Sequence, residues 1–228
     1  MLNAAVVETS ADPTIQAPFA ELGPAARAAT SEGSGDSHKA EIGKWRPIVA
    51  MLGNAGQKML VQIPKRNPIE LISYYDEFAW YYPTCEMETK RWFVDNVQSD
   101  WCIFDIGANV GYYSILFSRL APSGQIFAFE PTSTEAMLRA NLAHHQVRNI
   151  EVHKIAVGRQ PGLRTDDIFR IWGHDAERNE YPFVSVDSFV QERKLTKVDC
   201  LKIDVDSFDF EVLQGVVDTL QTMTHMLS

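Results

Sequence analysis

Residues 101–120, WCIFDIGANVGYYSILFSRL, restrict the fold of this chain more than any other stretch. The run from Trp101 to Ile106 is apolar except for Asp105 and shows no polar–apolar alternation. Such runs belong to strands covered on both faces, as in parallel sheets packed between helices. Gly107 and Gly111 interrupt the run, and YYSILFSRLA continues with helical character. A buried strand that turns on glycines into a helix is the opening unit of an α/β fold. The unit repeats. QIFAFEP is a second buried strand, followed by TSTEAMLRANLAHH, where Thr132 and Glu135 stand at capping-box spacing. IEVHKIAVG is a third strand. After a polar excursion over residues 159–183, with short strand pieces near DIFRIW, VSVDSFVQERKL reads as a short strand and a helix. VDCLKIDVDS is the next buried strand. DFEVLQGVVDTLQTM is a helix with Phe210, Leu213, Val217 and Leu220 along one stripe. This order predicts an α/β, doubly wound, mostly parallel sheet with right-handed crossovers.

The flanking sequence is of another kind. Residues 1–41 are rich in Ala, Ser, Thr, Gly, Pro and Glu, and are expected to form a disordered extension. Residues 42–98 form an N-terminal helical and irregular cap on the main domain, 99–228. Within the cap, Pro47, Pro64 and Pro68 interrupt WRPIVAML and KMLVQI, which favours short helices and turns. YYDEFAWYYP reads either as a packing strip or as part of an acceptor pocket. TCEMETKRWFVDNV is helical, with Thr84 able to cap it and Glu86 and Glu88 suited to its positive end. The three cysteines, Cys85, Cys102 and Cys200, form no C-x-x-C pair and read as reduced thiols of a cytoplasmic protein. Counting back from the strand ends puts Cys102 and Cys200 on opposite faces of the sheet. A formal net charge of −9 argues against a sequence-independent grip on nucleic acid, which needs basic clusters. No apolar run approaches the roughly 20 residues that span a bilayer, and the N-terminus has no secretory pattern, so no membrane partner is expected.

In a doubly wound sheet the ligand sits beyond the carboxyl ends of the strands, at the switch point. Asp105, Gly107, Asn109 and Gly111 fall there. The pattern D-x-G-x-N-x-G is not the dinucleotide G-x-G-x-x-G. Asn109 stands where a second glycine would let pyrophosphate touch the backbone. No G-K-[ST] follows, which excludes a P-loop. Asp105 at the strand tip repels phosphate and attracts an ammonium or sulfonium group. Glu130, at the end of the second strand, can accept both hydroxyls of a ribose. A nucleoside with positive charge and no diphosphate fits, and S-adenosylmethionine has that chemistry.

FDIGANVGYYSILFSRLAPSGQIFAFEP, NIEVHKIAVG, VSVDSFV and CLKIDVDSFDFEVLQG together resemble the FkbM-type family of S-adenosylmethionine-dependent methyltransferases. The resemblance runs from about Glu86 to Leu220. It implies the Rossmann-like class I methyltransferase sheet and cofactor contacts from Asp105, Gly107, Asn109, Gly111 and Glu130. By position after the third strand it places Ala156 and Val157 near the adenine. It also implies O-methylation of a hydroxyl on a sugar or natural-product-like small molecule. Two departures stand out. Where the family reads K-I-D-V-E-G-x-E, this chain reads KIDVDSFD: Asp206 and Asp209 replace glutamates, and Ser207 replaces a glycine. The sheet is also expected to be incomplete after the fourth strand, which leaves an edge open to self-association. The alternative is therefore a truncated cofactor-binding module without activity.

An alcohol becomes a good nucleophile only as its proton leaves, so a general base helps. Asp204 at the tip of the fourth strand is the first candidate and Asp206 the second. Strand-end carboxylates that bond backbone amides or shape the pocket remain an equal reading of both. Ser207 suits the cap of the next helix. His174 reads as a loop histidine. His144, His145 and His153 show no metal-ligand spacing. DVDS lacks the N-P-P-Y that related base N-methyltransferases often carry, which again points away from nucleic acid.

Overall fold

In the computed structural model, which describes residues 5–8, 57–73, 82–169 and 176–225, four parallel strands form the centre of the molecule. The elements in chain order are β1 (Ala5–Glu8), β2 (Gln57–Ile63), β3 (Arg66–Ser73), α1 (Met87–Asn96), β4 (Cys102–Ile106), α2 (Tyr112–Leu120), β5 (Gln125–Phe129) and α3 (Glu135–His144). They continue with β6 (Ile150–His153), β7 (Ala156–Val157), β8 (Gly162–Ile168), β9 (Glu177–Val184), α4 (Val186–Arg193), β10 (Cys200–Ile203), α5 (Asp209–Gln214) and α6 (Val217–His225). The main sheet has the order β1-β10-β4-β5-β6, and only β1 runs antiparallel. The chain steps outward from β4 to β6 and then returns to place β10 on the other side of β4. The switch point therefore lies between β4 and β10, where Asp105 and Asp204 emerge.

The unbroken apolar strands are covered on both faces, as their sequence demands. On one face Ile103, Ile126, Ala128 and Cys200 pack against Phe93, Phe117 and Leu138 from the three helices α1 to α3. On the other, Phe104, Phe127 and Phe129 meet Phe189 of α4 nearly edge-on, at centroid distances of 5.6, 5.2 and 5.0 Å. Cys200 belongs to the first layer and Cys102 to the second, on opposite faces as expected. All three cysteines are buried, and none forms a disulfide. Among the described residues no helix is long and apolar enough to cross a membrane.

The doubly wound class matches the sequence; several local elements do not. Where short helices and turns are expected over the cap, β2 and β3 form a hairpin. Met59, Val61 and Ile63 are buried while Lys58, Leu60 and Gln62 are exposed, and this period-2 pattern outweighs the prolines. Pro64 sits beside left-handed Lys65 in the connecting turn, and Pro68 is tolerated because both strands of a two-stranded ribbon are edges. Asn141 of α3 ties this hairpin down. Its amide accepts from Ile72 N (2.8 Å) and donates to Ile72 O (3.1 Å) and to Val110 O (2.9 Å).

The polar excursion over 159–183 is likewise a hairpin, β8 against β9, with β7 alongside. The expected stripe of Phe210, Leu213, Val217 and Leu220 is broken at Gly215 into α5 and α6. Phe210 and Val217 are 67% and 45% exposed, and Val212 and Val216 are buried in their place. Thr84 does not stand at the N-cap of α1; Glu86 does, in a left-handed conformation and without a side-chain capping bond. Thr132 does not build a capping box either, because α3 starts later, with Thr134 at its N-cap, and the Thr132 hydroxyl accepts Thr134 N while donating to Glu130; the box forms at α4, from Ser185 and Ser188. Of the extension expected to be disordered, Ala5–Glu8 pairs along the outer edge of β10, where an unpaired parallel edge meets the β-prone AVVE. The rest of 1–41, WRPIVAML, residues 74–81 of the aromatic strip and His174 lie outside the described residues.

Candidate functional site

The turn after β4 is built by backbone geometry that few residues allow. Gly107 (φ 77°), Asn109 (φ 49°) and Gly111 (φ 92°) are all left-handed. Gly107 N and Ala108 N both donate to Phe129 O at 3.0 Å, which pins the turn to the end of β5. A Cβ on Gly107 would lie 1.9 Å from the carbonyl oxygen of Asp204. The space that sequence logic reserves for a ligand at this glycine is thus filled by the protein, where the turns after β4 and β10 abut.

Glu130 closes the other side of the turn. Its Oε2 accepts from Asn109 N (2.9 Å), and its Oε1 from Thr132 N (3.0 Å) and Thr132 Oγ1 (2.6 Å). Burial raises its pKa, against the pull of these donors. A carboxylate offers about four acceptor sites. Three are taken, so with Thr132 in place Glu130 can receive one ribose hydroxyl rather than two.

Asp105 is fully buried and faces inward. Its Oδ1 lies 3.1 Å from Lys202 Nζ, and its Oδ2 accepts from Ser114 Oγ at 2.5 Å. Where the sequence aims this acid at a cationic ligand, the structure aims it at a lysine. Lys202 is the residue that motif reasoning misses. From β10 its ammonium also donates to Gly107 O (2.8 Å) and Ile106 O (3.4 Å), and stands 3.8 Å from Asp204 Oδ2. Burial alone pushes Lys202 down, but Asp105 and Asp204 overcome it and hold the pKa above the ordinary lysine value. The signal was present: a lysine inside the apolar run CLKI cannot reach water and must be paired.

Asp204 and Asp206 follow on the same turn. Burial pushes Asp204 up to about 7; Lys202 opposes it, while Glu86, Asp206 and Asp209 add to the rise. Asp206 is pushed up to about 6 by burial and by Asp209 and Glu130, against Lys202. Its side chain is nonetheless solvent-exposed, so water screens much of that push and Asp204 is the better-poised acid. The permissive backbone position here is Asp206 itself (φ 54°), not Ser207, and aspartate is among the few residues that tolerate it. The side chain of Ser207, a candidate cap, lies outside what is described; Asp209 Oδ1 accepts Val205 N at 3.1 Å and braces the turn. Arg164 steadies it from β8, bonded to Glu211 Oε2 at 2.9 Å with its guanidinium 3.9 Å above the Phe183 ring.

Ala156 and Val157 are buried in β7, paired with Phe183 and Val184, just past the end of β6. His144 and His145 reach Glu70 Oε1 (2.8 Å) and Glu70 O (2.5 Å), and so serve the β2–β3 hairpin. Glu86, which sequence assigns to the helix end, turns toward the site. Its Oε2 accepts the hydroxyls of Tyr112 and, at 2.7 Å, Tyr113.

Comparison with known proteins points to one family. The family model described as the methyltransferase FkbM domain matches residues 105–226. A protein called Methyltransferase 1 from Beauveria bassiana is 27% identical over 190 residues, covering 66% of this chain and 76% of its own length. The 31-O-demethyl-FK506 methyltransferase FkbM of Streptomyces tacrolimicus is 28% identical over 156 residues, covering 51% of this chain and 59% of its own. Among solved structures, a methyltransferase FkbM from Methylobacillus flagellatus superposes with a TM-score of 0.43 at 12% identity, over 56% of this chain and 32% of that one. The present chain thus spans little more than half of the Streptomyces protein and a third of the Methylobacillus one.

Proposed function

The chain belongs to the FkbM-domain methyltransferases, and from that premise we propose that it binds S-adenosylmethionine at the 107–111 turn and transfers the methyl group to a hydroxyl of a small molecule. The observation that carries this reading is the crowding of negative charge around the turn. Burial pushes Glu130, Asp204, Asp206 and Asp209 above ordinary carboxyl pKa values, and for Asp204 and Asp206 neighbouring carboxylates add to the rise. Such a mouth repels a diphosphate and favours a cation. The residues fit S-adenosylmethionine: Glu130 for a ribose hydroxyl and acids for the sulfonium and ammonium, while the glycines let the turn pack against Asp204 and Leu138. Ala156 and Val157 would lie beneath the adenine. Asp105 supports the turn through Lys202 rather than touching the cofactor.

When bound, the cofactor supplies an electrophilic methyl on sulfonium. The protein aligns the acceptor and excludes water. Asp204, poised near neutrality, accepts the proton of the acceptor hydroxyl, as a general base should. Asp206 is the outer of the two acids and helps hold the cationic end.

Isothermal titration calorimetry tests the reading. S-adenosylmethionine is expected to bind more tightly than its demethylated product, to release protons on binding near pH 6 to 7, and to weaken as Asp204 and Asp206 protonate. Binding of NAD in preference to S-adenosylmethionine would sink it.

Asp204→Asn separates chemistry from folding. Turnover should fall by about 10²–10⁴-fold, the range of a lost general base. Stability should move the other way. The folded pKa of Asp204 is raised to about 7 from 3.8, so the native state holds its proton more tightly than the unfolded chain. Wild-type stability therefore declines as pH rises between those values, and the asparagine variant loses that decline. Melting temperatures at both ends of the range check it: the variant should be the more stable protein above neutrality.

A further inference from the structure

Glu86 lies outside every motif that the proposed chemistry uses, yet independent features converge on it. Its backbone is left-handed, φ 50° and ψ 38°, a conformation glutamate rarely adopts and one that persists only where surrounding contacts impose it. The contacts are the hydroxyls of Tyr112 and Tyr113, which both donate to the same oxygen, Oε2. These tyrosines directly follow Gly111, so the glutamate is bolted to the far end of the turn. The ring of Tyr113 lies 5.5 Å from Lys202 Nζ, and Lys202 stands 3.8 Å from Asp204. A glutamate that served only the helix end would gain as much from facing water. This one is half-buried and held by the two tyrosines that lead out of the 107–111 turn.

We propose that Glu86 is a positioning residue for Asp204: held by Tyr112 and Tyr113, its carboxylate supplies, across the site, the negative charge that balances Lys202 and sets how tightly Asp204 keeps its proton. The role rests on the assignment of Asp204 as proton acceptor. Around Asp204 stand Lys202 on its own strand, Asp105 on β4 beyond that lysine, and Asp206 and Asp209 on the turn and helix that follow. From α1 comes Glu86, with Lys90 one turn further on, 5.3 Å from the Tyr112 ring. Lys202 pulls the proton off Asp204, and Glu86 opposes it. Deleting the Glu86 charge leaves Lys202 less opposed, so Asp204 should ionise at lower pH.

Carbon-13 NMR titration of the Asp204 carboxyl in the full chain reads this directly. The wild-type midpoint is expected near 7. Glu86→Gln should lower it by about one pH unit, the size of effect a nearby like charge produces. Glu86→Asp, which keeps the charge, should recover most of the change. A midpoint unmoved in Glu86→Gln, or moved equally in Glu86→Asp, would overturn the proposal. Should Glu86→Gln fail to fold, the double change Tyr112→Phe with Tyr113→Phe frees Glu86 without deleting its charge; a lowered midpoint supports the role and an unmoved one overturns it. Calorimetry with S-adenosylmethionine on the same samples keeps the two levels apart. A wild type that does not bind it refutes the function, whereas normal binding with an unmoved midpoint refutes only the role of Glu86.

Discussion

Lys202→Met is expected to destabilise the protein by about 3–5 kcal/mol, the cost of breaking a buried ion pair from one side. The ammonium is 2% exposed and its partner Asp105 is fully buried, so neither charge can turn to water when the other is removed. Methionine restores much of the volume but none of the bonds. Asp105 keeps only the Ser114 hydroxyl, and Gly107 O loses its 2.8 Å donor. The loss should therefore be felt in the cofactor turn as well as in global stability. A double-mutant cycle with Asp105→Asn, read by urea denaturation, isolates the pair. Removing both charges should cost less than the sum of the single changes by about 2 kcal/mol or more, because the second substitution relieves the stranded carboxylate. Simple additivity would mean that the two groups do not act as a pair.

Gly107→Ala should be nearly as damaging, for a different reason. A left-handed alanine costs about 1 kcal/mol or somewhat more. The added Cβ would also meet Asp204 O at 1.9 Å, and a backbone atom cannot rotate away. Relief by backbone shift adds about 1–3 kcal/mol. The total is about 2–4 kcal/mol, and the turns after β4 and β10 must part, which should weaken S-adenosylmethionine binding more than tenfold. Gly111→Ala is the internal control. Its Cβ meets only the tip of Leu138, at 2.5 Å, and a leucine side chain can yield. If thermal melts place the two variants level, the clash at Asp204 is not what demands glycine at 107.

What the sequence discloses is what local rules govern. Largely apolar runs at β4, β5 and β10 disclose a sheet covered on both faces, and the glycine spacing marks the turn at its carboxyl end. The hairpin β2–β3 stays hidden because Pro64 and Pro68 speak locally for interruption, while burial of Met59, Val61, Ile69 and Leu71 is decided by a helix that arrives later in the chain. Thr132 looks like a cap because the spacing to Glu135 fits the rule, but the helix begins only after Thr134, and the Thr132 hydroxyl joins Glu130 to the Thr134 amide instead. At the site, Asp105 and Glu130 are legible as strand-end acids, but not what each one faces. Lys202 reaches across 95 residues of sequence to Gly107 O, and Glu86 meets Tyr113 across 27. Pairings of that span follow from the topology, which no single motif contains.

The three hydrogen bonds of Asn141 carry a consequence for engineering. One side chain stitches Ile72 of the β2–β3 hairpin to Val110 of the 107–111 turn. A minimal transplant that kept the sheet and dropped the hairpin would leave a buried amide looking for lost company. The hairpin is better regarded as a brace for the 107–111 turn than as dispensable padding, and any trimmed scaffold should carry it along or replace Asn141 with a side chain that asks for no partner.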